Sequence, residues 1–461
     1  MTVGMKLKTV RSLVLSVSCW SLAGVASADL YVVEVDGGGA APTDTSAAAI
    51  IKKLSNLGAP LATINLPIVD SLPQKAFSIR GNSTTATNLT LSTNGEFLLL
   101  GGFGVAPGQT VVHGATSVVA PRAVARIKVS DGSFDTTTVF SGDSSYNGVS
   151  SGSSGEIRSV ASTDGVTLWT SGTSNTSGNA GIRTATFGGT TTTQISTSVT
   201  NTRVLNISSV SGSPQLYLGT MSGTFRGVNT VGTGLPIVAG ATVALFPGFD
   251  PSATAPQNTN DFWLKDANTL YLADGRSAAP GGVQKWTFDS GTALWSLAYS
   301  SLLGTTGAFS LAGTIEGADT VLYSTSGEST NNNIVKLIDT GAGFTQSNVA
   351  MAGANKVFRG LEFVAAALPT NNSDFDNDGT VDGNDLLKWQ GGLGLTGVPV
   401  NVKSTGDANG DGNVNAADLA IWTGKFGGPP AVAAIGAAPE PMSLGLALAA
   451  LAALATRRRA A

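Results

Sequence analysis

The sequence predicts a mainly β protein with a small α-helical module near its C-terminus. Three observations carry this expectation. A turn followed by a short run of β-formers recurs from about Leu30 to Val364. Glycine is abundant at 59 residues, and serine, threonine and asparagine are plentiful, which suits turns and solvated strands better than helices. Past Pro369 the composition changes abruptly to a run of acids, followed by apolar residues at helical spacing.

The chain opens with a segment that reads as a secretory signal over residues 1–28. Lys6, Lys8 and Arg11 form a positive stretch, Leu13 to Val25 is apolar or small, and Ala26-Ser27-Ala28 supplies small residues for cleavage. The alternative, an amphipathic or buried first helix, fits less well because Asp29 and Gly37 to Gly39 end the apolar run. The single cysteine, Cys19, lies inside this segment, so a chain starting at Asp29 cannot rest on disulfides. Ser16 stands where a lipoprotein site at Cys19 needs a large aliphatic residue. Charged residues make up only 12% of the sequence, the net charge is -4, and basic residues cluster only at the two ends. That excludes nucleic acid as a partner.

Residues 29–368 form the large domain. Its clearest repeats are Asn94-Gly95 before Phe97 to Leu100, Asp164-Gly165 before Thr167 to Trp169, and Ser213-Pro214 before Leu216 to Leu218. Ala267-Asn268 before Leu270 to Leu272 and Asp319 before Val321 to Tyr323 continue the series. Alternating runs follow several of them, at Val124 to Val129, Val283 to Phe288 and Ile334 to Ile338, and their β-branched and aromatic content marks strands. The repeats recur about every 50 to 70 residues, the length of a four-stranded blade with generous loops. Such a blade must stack on others to bury both faces. A sixth unit joins the two ends of the domain, with Val357 to Val364 inside and Leu30 to Val35 beside it, which closes the ring and removes open edges. The pattern resembles a six-bladed β-propeller of the WD40-like or YVTN-like shape, with a β-sandwich or β-helix as the alternative.

Chemistry-bearing patterns are sparse in this domain. Gly148 to Gly152 matches G-x-S-x-G, but in a Ser/Gly-rich stretch without strand-to-helix context. The lone histidine, His113, precedes that serine rather than following it, and argues against histidine-based zinc or general-base schemes. Asp143, Glu156, Asp261 and Glu316 show no spacing that singles out a catalytic pair, so they read as solvated loop carboxylates. Trp263 and Trp295 could line a sugar-binding surface, though blade-core packing is the simpler use.

Residues 369–430 carry the acids. Asp374, Asp376, Asp378, Asp382 and Asp385 fall within twelve positions, with Gly379 sixth. This is the spacing of a calcium loop, in which side chains at positions 1, 3, 5 and 12 and the carbonyl at 7 point inward while the sixth residue turns sharply. The expected ligands are Asp374, Asp376, Asp378, the Thr380 carbonyl and Asp385, with Asp382 acting through water. The pattern returns 33 positions later as Asp407, Asn409, Asp411, Gly412, the Asn413 carbonyl, Asn415 and Asp418. Val381 matches Val414, Leu386 matches Leu419, Trp389 matches Trp422, Leu393 matches Phe426 and Gly394 matches Gly427. Each loop leads into a short helix, at Leu386 to Gln390 and at Leu419 to Thr423, and two calcium ions are expected. The module resembles a type I dockerin, an EF-hand-like family that pairs two such loops, uses aspartate at position 12 and binds a cohesin domain in another protein. Positions ten and eleven, where that family often carries cohesin-reading hydroxyl residues, are Gly383-Asn384 and Ala416-Ala417 here.

Residues 431–461 form a tail: Pro439-Glu440-Pro441, a mostly apolar run from Met442 to Ala455, then Arg457 to Arg459. The apolar run is marginal as a permanent span, and the arginines favour a cytoplasmic end. The order resembles the PEP-CTERM sorting signal, as against a simple membrane anchor. The resemblance implies transient anchoring through 442–455, recognition by an exosortase-type membrane protease, and release into the envelope, cell surface or extracellular matrix. Two functions follow as expectations. The first is a non-catalytic exported surface or matrix protein whose propeller-like scaffold binds a partner such as a polysaccharide or matrix component, with the calcium module serving attachment. The second is a secreted carbohydrate-active or other hydrolytic propeller enzyme carrying a dockerin. Carboxylates clustered at the mouth of the central axis would favour the enzyme, and an apolar or Ser/Thr-lined axis the scaffold.

Overall fold

The computed structural model describes residues 29–148, 155–253, 256–316, 318–364, 373–376, 378, 380–398, 403–408 and 413–426. The signal segment, the sorting tail and residues 149–152 of the G-x-S-x-G match lie outside the described residues. The chain divides into two compact units, 1–365 and 366–461.

The first unit is a six-bladed β-propeller made of six antiparallel sheets. Blade 1 is built on residues 78–140, blade 2 on 156–196, blade 3 on 205–245, blade 4 on 259–301 and blade 5 on 308–351. Blade 6 joins the two ends, its order running Lys356–Val364, Asp29–Asp36, Ile50–Ser55, Pro60–Asn65. Asp29 pairs with Val364 and Asp36 with Lys356, so the last strand closes the ring on the first, as the sequence predicts.

The five runs that follow turns in the sequence are the second strands of blades 1 to 5, over Phe97–Phe103, Thr167–Thr173, Gln215–Thr220, Thr269–Asp274 and Asp319–Ser326. Turn chemistry fixes where they begin. Gly95 and Gly165 sit at φ 74° and 76°, open to glycine without strain. The side chains before them, Asn94 and Asp164, accept from the N–H two residues on, at 3.1 and 2.8 Å.

Blade 1 departs from the expected four strands. Its inner edge is shared by Leu89–Leu91, which pairs with the start of Phe97–Phe103, and Ser78–Arg80, which pairs with its end and carries Ser46–Ala48 outside it. Residues 81–88 leave the edge between these two short strands, with Thr87 at φ 69°.

The core lies between blades rather than within them. Alternation sends Leu30 and Val32 into the seam with blade 5, and Tyr31, Val33 and Val35 into the seam with blade 1. Six buried apolar clusters occupy the six seams, so every blade depends on both neighbours. Burying one Leu or Val in such a seam contributes about 1.5–3 kcal/mol. Trp295 stacks on Phe246 at 5.4 Å and Trp263 on Tyr271 at 5.8 Å, which places both tryptophans in blade packing. Cross-strand Tyr–Lys pairs repeat around three blades, Tyr271 with Lys285, Tyr323 with Lys336 and Tyr31 with Lys53.

In the second unit the two sequence-predicted helices are α1 (Gly383–Gly392) and α2 (Ala416–Lys425).

Candidate metal centre

The first acidic loop gathers its leading carboxylates. One oxygen each from Asp374, Asp376 and Asp378 lies within 4.8 Å of the others. Oxygens bound to one calcium at 2.3–2.6 Å stand at most about 5 Å apart, so these three fit a shared hard cation. Asp374 is buried while Asp376 and Asp378 are exposed, leaving a one-sided acidic mouth. Asp378 accepts from the Thr380 hydroxyl at 2.6 Å and N–H at 2.8 Å, and these bonds hold its carboxyl below the usual range. Partial desolvation, followed by the charges of Asp378, Asp385 and Asp374, moves Asp376 the other way.

Asp385 has a different place from these three. It is fully buried, and its two oxygens accept backbone N–H groups: Phe375 at 2.5 Å and Asp376 at 3.1 Å on one, Asp382 at 2.8 Å on the other. The carboxylate at position 12 therefore ties the end of the loop to its beginning. Asp382, expected to act through water, is the N-cap of α1 and accepts from Asn384 N–H at 2.8 Å. With Asp385 three positions on, it completes a reciprocal capping box.

The second loop repeats the scheme. Asn415 caps α2 and accepts from Ala417 N–H, while Asp418, fully buried, accepts from Asn415 N–H and Ala408 N–H, all three bonds at 2.8 Å. Asp407 is buried at the start of the loop, and Asn413 bridges to Thr396 at its far side. Asn409, Asp411 and Gly412, like Gly379 in the first loop, lie outside the described residues.

Phe375, Trp389, Ala408 and Val414 form the buried core of the module, flanked by Leu386, Leu419, Ile421 and Trp422. Phe375 and Ala408 occupy position 2 of each loop, a matched buried pair that the acid spacing alone does not reveal. The indoles bind reciprocally: Trp389 Nε1 donates to the Asn415 carbonyl at 3.0 Å and Trp422 Nε1 to the Asp382 carbonyl at 3.1 Å. Each tryptophan thus holds the cap residue of the other helix.

The candidate acids of the propeller are all engaged. Asp143 accepts from Thr192 N–H at 2.6 Å. Glu316 pairs with Lys336 at 2.8 Å, and Glu156 with Arg158 at 3.2 Å. Asp261 is buried and accepts from Phe262 and Leu311 N–H groups, and burial raises its carboxyl well above the ordinary range. His113 is buried in a short 3-10 turn.

No model of a known protein family matches the chain, and no curated protein matches it. Solved structures with a similar course include TolB from Acinetobacter baumannii, at 11% identity and TM-score 0.35, covering 73% of this chain and 66% of that one. The periplasmic gluconolactonase PpgL of Pseudomonas aeruginosa matches at 12% identity and TM-score 0.38, covering 73% of this chain and 100% of that one. A protein from Lactobacillus plantarum matches at 10% identity and TM-score 0.38, covering 71% and 82%. At these values the likeness extends to no function.

Proposed function

We propose that the chain is a non-catalytic exported surface or matrix protein in which the propeller is a binding scaffold and the second unit is a calcium-stabilised, dockerin-like attachment module. The observation that carries the reading is the duplicated loop. Asp374 to Asp385 and Asp407 to Asp418 share ligand spacing, capping boxes and reciprocal tryptophan bonds. Calcium would be held in the first loop by Asp374, Asp376, Asp378 and the Thr380 carbonyl, with Asp385 closing the loop beneath. Asp407, Asn409, Asp411 and the Asn413 carbonyl would serve the second, with Asp418 closing it beneath as Asp385 does the first. Five carboxylates in one short loop repel each other until a cation neutralises them, so calcium uptake and folding of the module are coupled.

Export is supported by the N-terminal signal pattern, and retention in the envelope or matrix by the Pro439-Glu440-Pro441 tail that an exosortase-type protease would process. A cohesin-bearing protein is one attachment partner; Gly383-Asn384 and Ala416-Ala417 favour a different recognition surface from that of known dockerins. The inner face of the propeller buries charges of both signs among the described residues, Arg158, Arg203 and Arg359 beside Glu156 and Asp261, and Glu156 is taken up by Arg158 at 3.2 Å.

A chelator wash of producing cells tests the reading. The expected result is release of the chain from the cell surface or matrix by chelator, with constitutive release of the Asp374→Ala, Asp407→Ala double variant. Retention unchanged by either treatment would refute attachment through calcium.

A further inference from the structure

The innermost strands carry bulges at one shared height. Arg158 is the extra residue in blade 2, Asn260 in blade 4 and Phe309 in blade 5, each standing where two residues face one across the ladder. In blade 6 Arg359 and Gly360 stand against the single Val33. In blade 3 Arg203 N–H donates to the Gly219 carbonyl while Gly219 N–H donates to the Val204 carbonyl, the same two-against-one arrangement. A bulge re-aims a side chain out of the strict alternation. Asn260, Phe309 and Arg359 line one narrow cleft, together with Thr84, Thr85 and Asn88 from the loop that interrupts blade 1.

Two of the three arginines are occupied in tying blades together. Arg158 reaches Glu156 at 3.2 Å and the Thr202 carbonyl at 3.2 Å. Arg203 reaches Asn258 Oδ1 at 2.6 Å, the Thr259 carbonyl at 3.2 Å and Asn260 Oδ1. Arg359 differs. Its Nε donates to the Ser83 carbonyl at 2.8 Å, its Nη1 has only a 3.5 Å contact with the Phe358 carbonyl, and it has no carboxylate partner among the described residues. It is 4% exposed, so a cation with five donors is buried with one good acceptor. Burial lowers its pKa to about 10, so it stays charged at neutral pH. A buried charge without a counter-ion is strongly unfavourable, and an anion at the cleft relieves it. Further donors are at hand, since the Asn88 amide and Thr84 hydroxyl make no hydrogen bond among the described residues and both line the cleft.

The geometry points to an oxyanion-binding site at the axial mouth of the propeller, in which Arg359 supplies the charge and Asn88 and Thr84 supply neutral donors to a carboxylate or phosphate group. The cleft interior is about 10 Å³, room for roughly one water-sized group, so an oxygen of the anion enters while the rest of the ligand lies outside. The site deepens the binding-scaffold reading of the propeller by naming its ligand chemistry, and it rests on nothing in the calcium module.

Calorimetric titration of the whole mature chain in calcium-free buffer, at ionic strength fixed with sodium chloride, tests it. Glucuronate is the carboxylate probe and inorganic phosphate the phosphate probe, and binding of one alone identifies the source chemistry. Saturable one-to-one binding of at least one probe is expected, at least tenfold weaker in Arg359→Gln and partly kept in Arg359→Lys. Where Arg359→Gln loses its β-sheet circular dichroism, Thr84→Val and Asn88→Ala replace it, each expected to weaken binding at least threefold. The proposal is overturned if wild type binds neither probe, or if folded variants bind as tightly as wild type.

Discussion

Trp389 donates its indole N–H to the backbone carbonyl of Asn415 at 3.0 Å, so the first helix of the second unit is anchored to the cap of the second helix. Trp422 returns the contact to Asp382 at 3.1 Å. Trp389→Phe keeps a ring in the core but leaves the Asn415 carbonyl without this donor, at a cost of about 1–2 kcal/mol. Amide hydrogen exchange is expected to accelerate in both α1 and α2 of that variant. Acceleration confined to α1 would mean that the helices are not coupled through the indoles.

The buried position-12 carboxylate and the cap are expected to differ in weight. Asp385 accepts three backbone N–H groups that tie the loop together, whereas Asp382 accepts those of Asn384 and Asp385 at the helix start. Asp382→Ala should destabilise the module by about 1 kcal/mol, as loss of a cap does. Asp385→Ala orphans three donors and should cost about 3 kcal/mol or more. Chemical denaturation of the full chain followed by near-ultraviolet circular dichroism measures both, and equal effects would contradict the assignment.

The two loops should bind unequally. The first carries five aspartates, while the second has asparagine at Asn409 and Asn415 where the first has Asp376 and Asp382. Calcium titrations of Asp374→Ala and Asp407→Ala report each remaining site, and the variant that keeps the first loop intact is expected to bind more tightly. Equal affinities would count against charge as the source of the ordering.

In the propeller, Asp339 receives Lys285 at 2.7 Å together with the hydroxyls of Tyr271 and Tyr299. Burial alone would raise its carboxyl, but these bonds and the Gly341 N–H outweigh burial and lower the pKa from 3.8 to about 2. A depressed carboxylate stabilises the fold above its unfolded pKa and loses that contribution as pH falls through its folded one. Asp339 should therefore contribute up to roughly 2 kcal/mol above pH ~4 that disappears toward pH ~2. Asp339→Asn should melt lower than wild type near neutral pH and show a flatter decline over that acid window. Parallel acid profiles would refute the role.

Ring closure carries its own prediction. Leu30 is fully buried in the seam between blades 5 and 6, on the strand that pairs with Lys356–Val364. Leu30→Ala should destabilise the propeller by about 2–5 kcal/mol. A change within about 0.5 kcal/mol, the range of surface substitutions, would show that the closing seam is dispensable.

The second strands and the terminal closure are legible because a turn signal precedes each second strand and β-formers run on both faces, as at Asp164-Gly165 before Thr167–Thr173. The inner strands are harder to read. Leu89–Leu91 and Leu205–Ser208 are too short for periodicity to mark them, and Arg158 and Arg359 sit at bulges where a charge interrupts the apolar pattern. The axial arginines therefore look like surface residues in the sequence, although their side chains are buried. In the module the acid spacing marks the loops, but the inward carboxylates divide by depth. Asp374, Asp376 and Asp378 converge, while Asp385 turns beneath to the backbone, a division set by the capping box.

The most direct test of the central claim is a calorimetric calcium titration of the full mature chain, paired with thermal melts in calcium and in chelator. Uptake of two ions is predicted, with a module transition that falls to lower temperature in chelator while the propeller transition holds. No calcium uptake, or a melting profile unchanged by chelator, would contradict it.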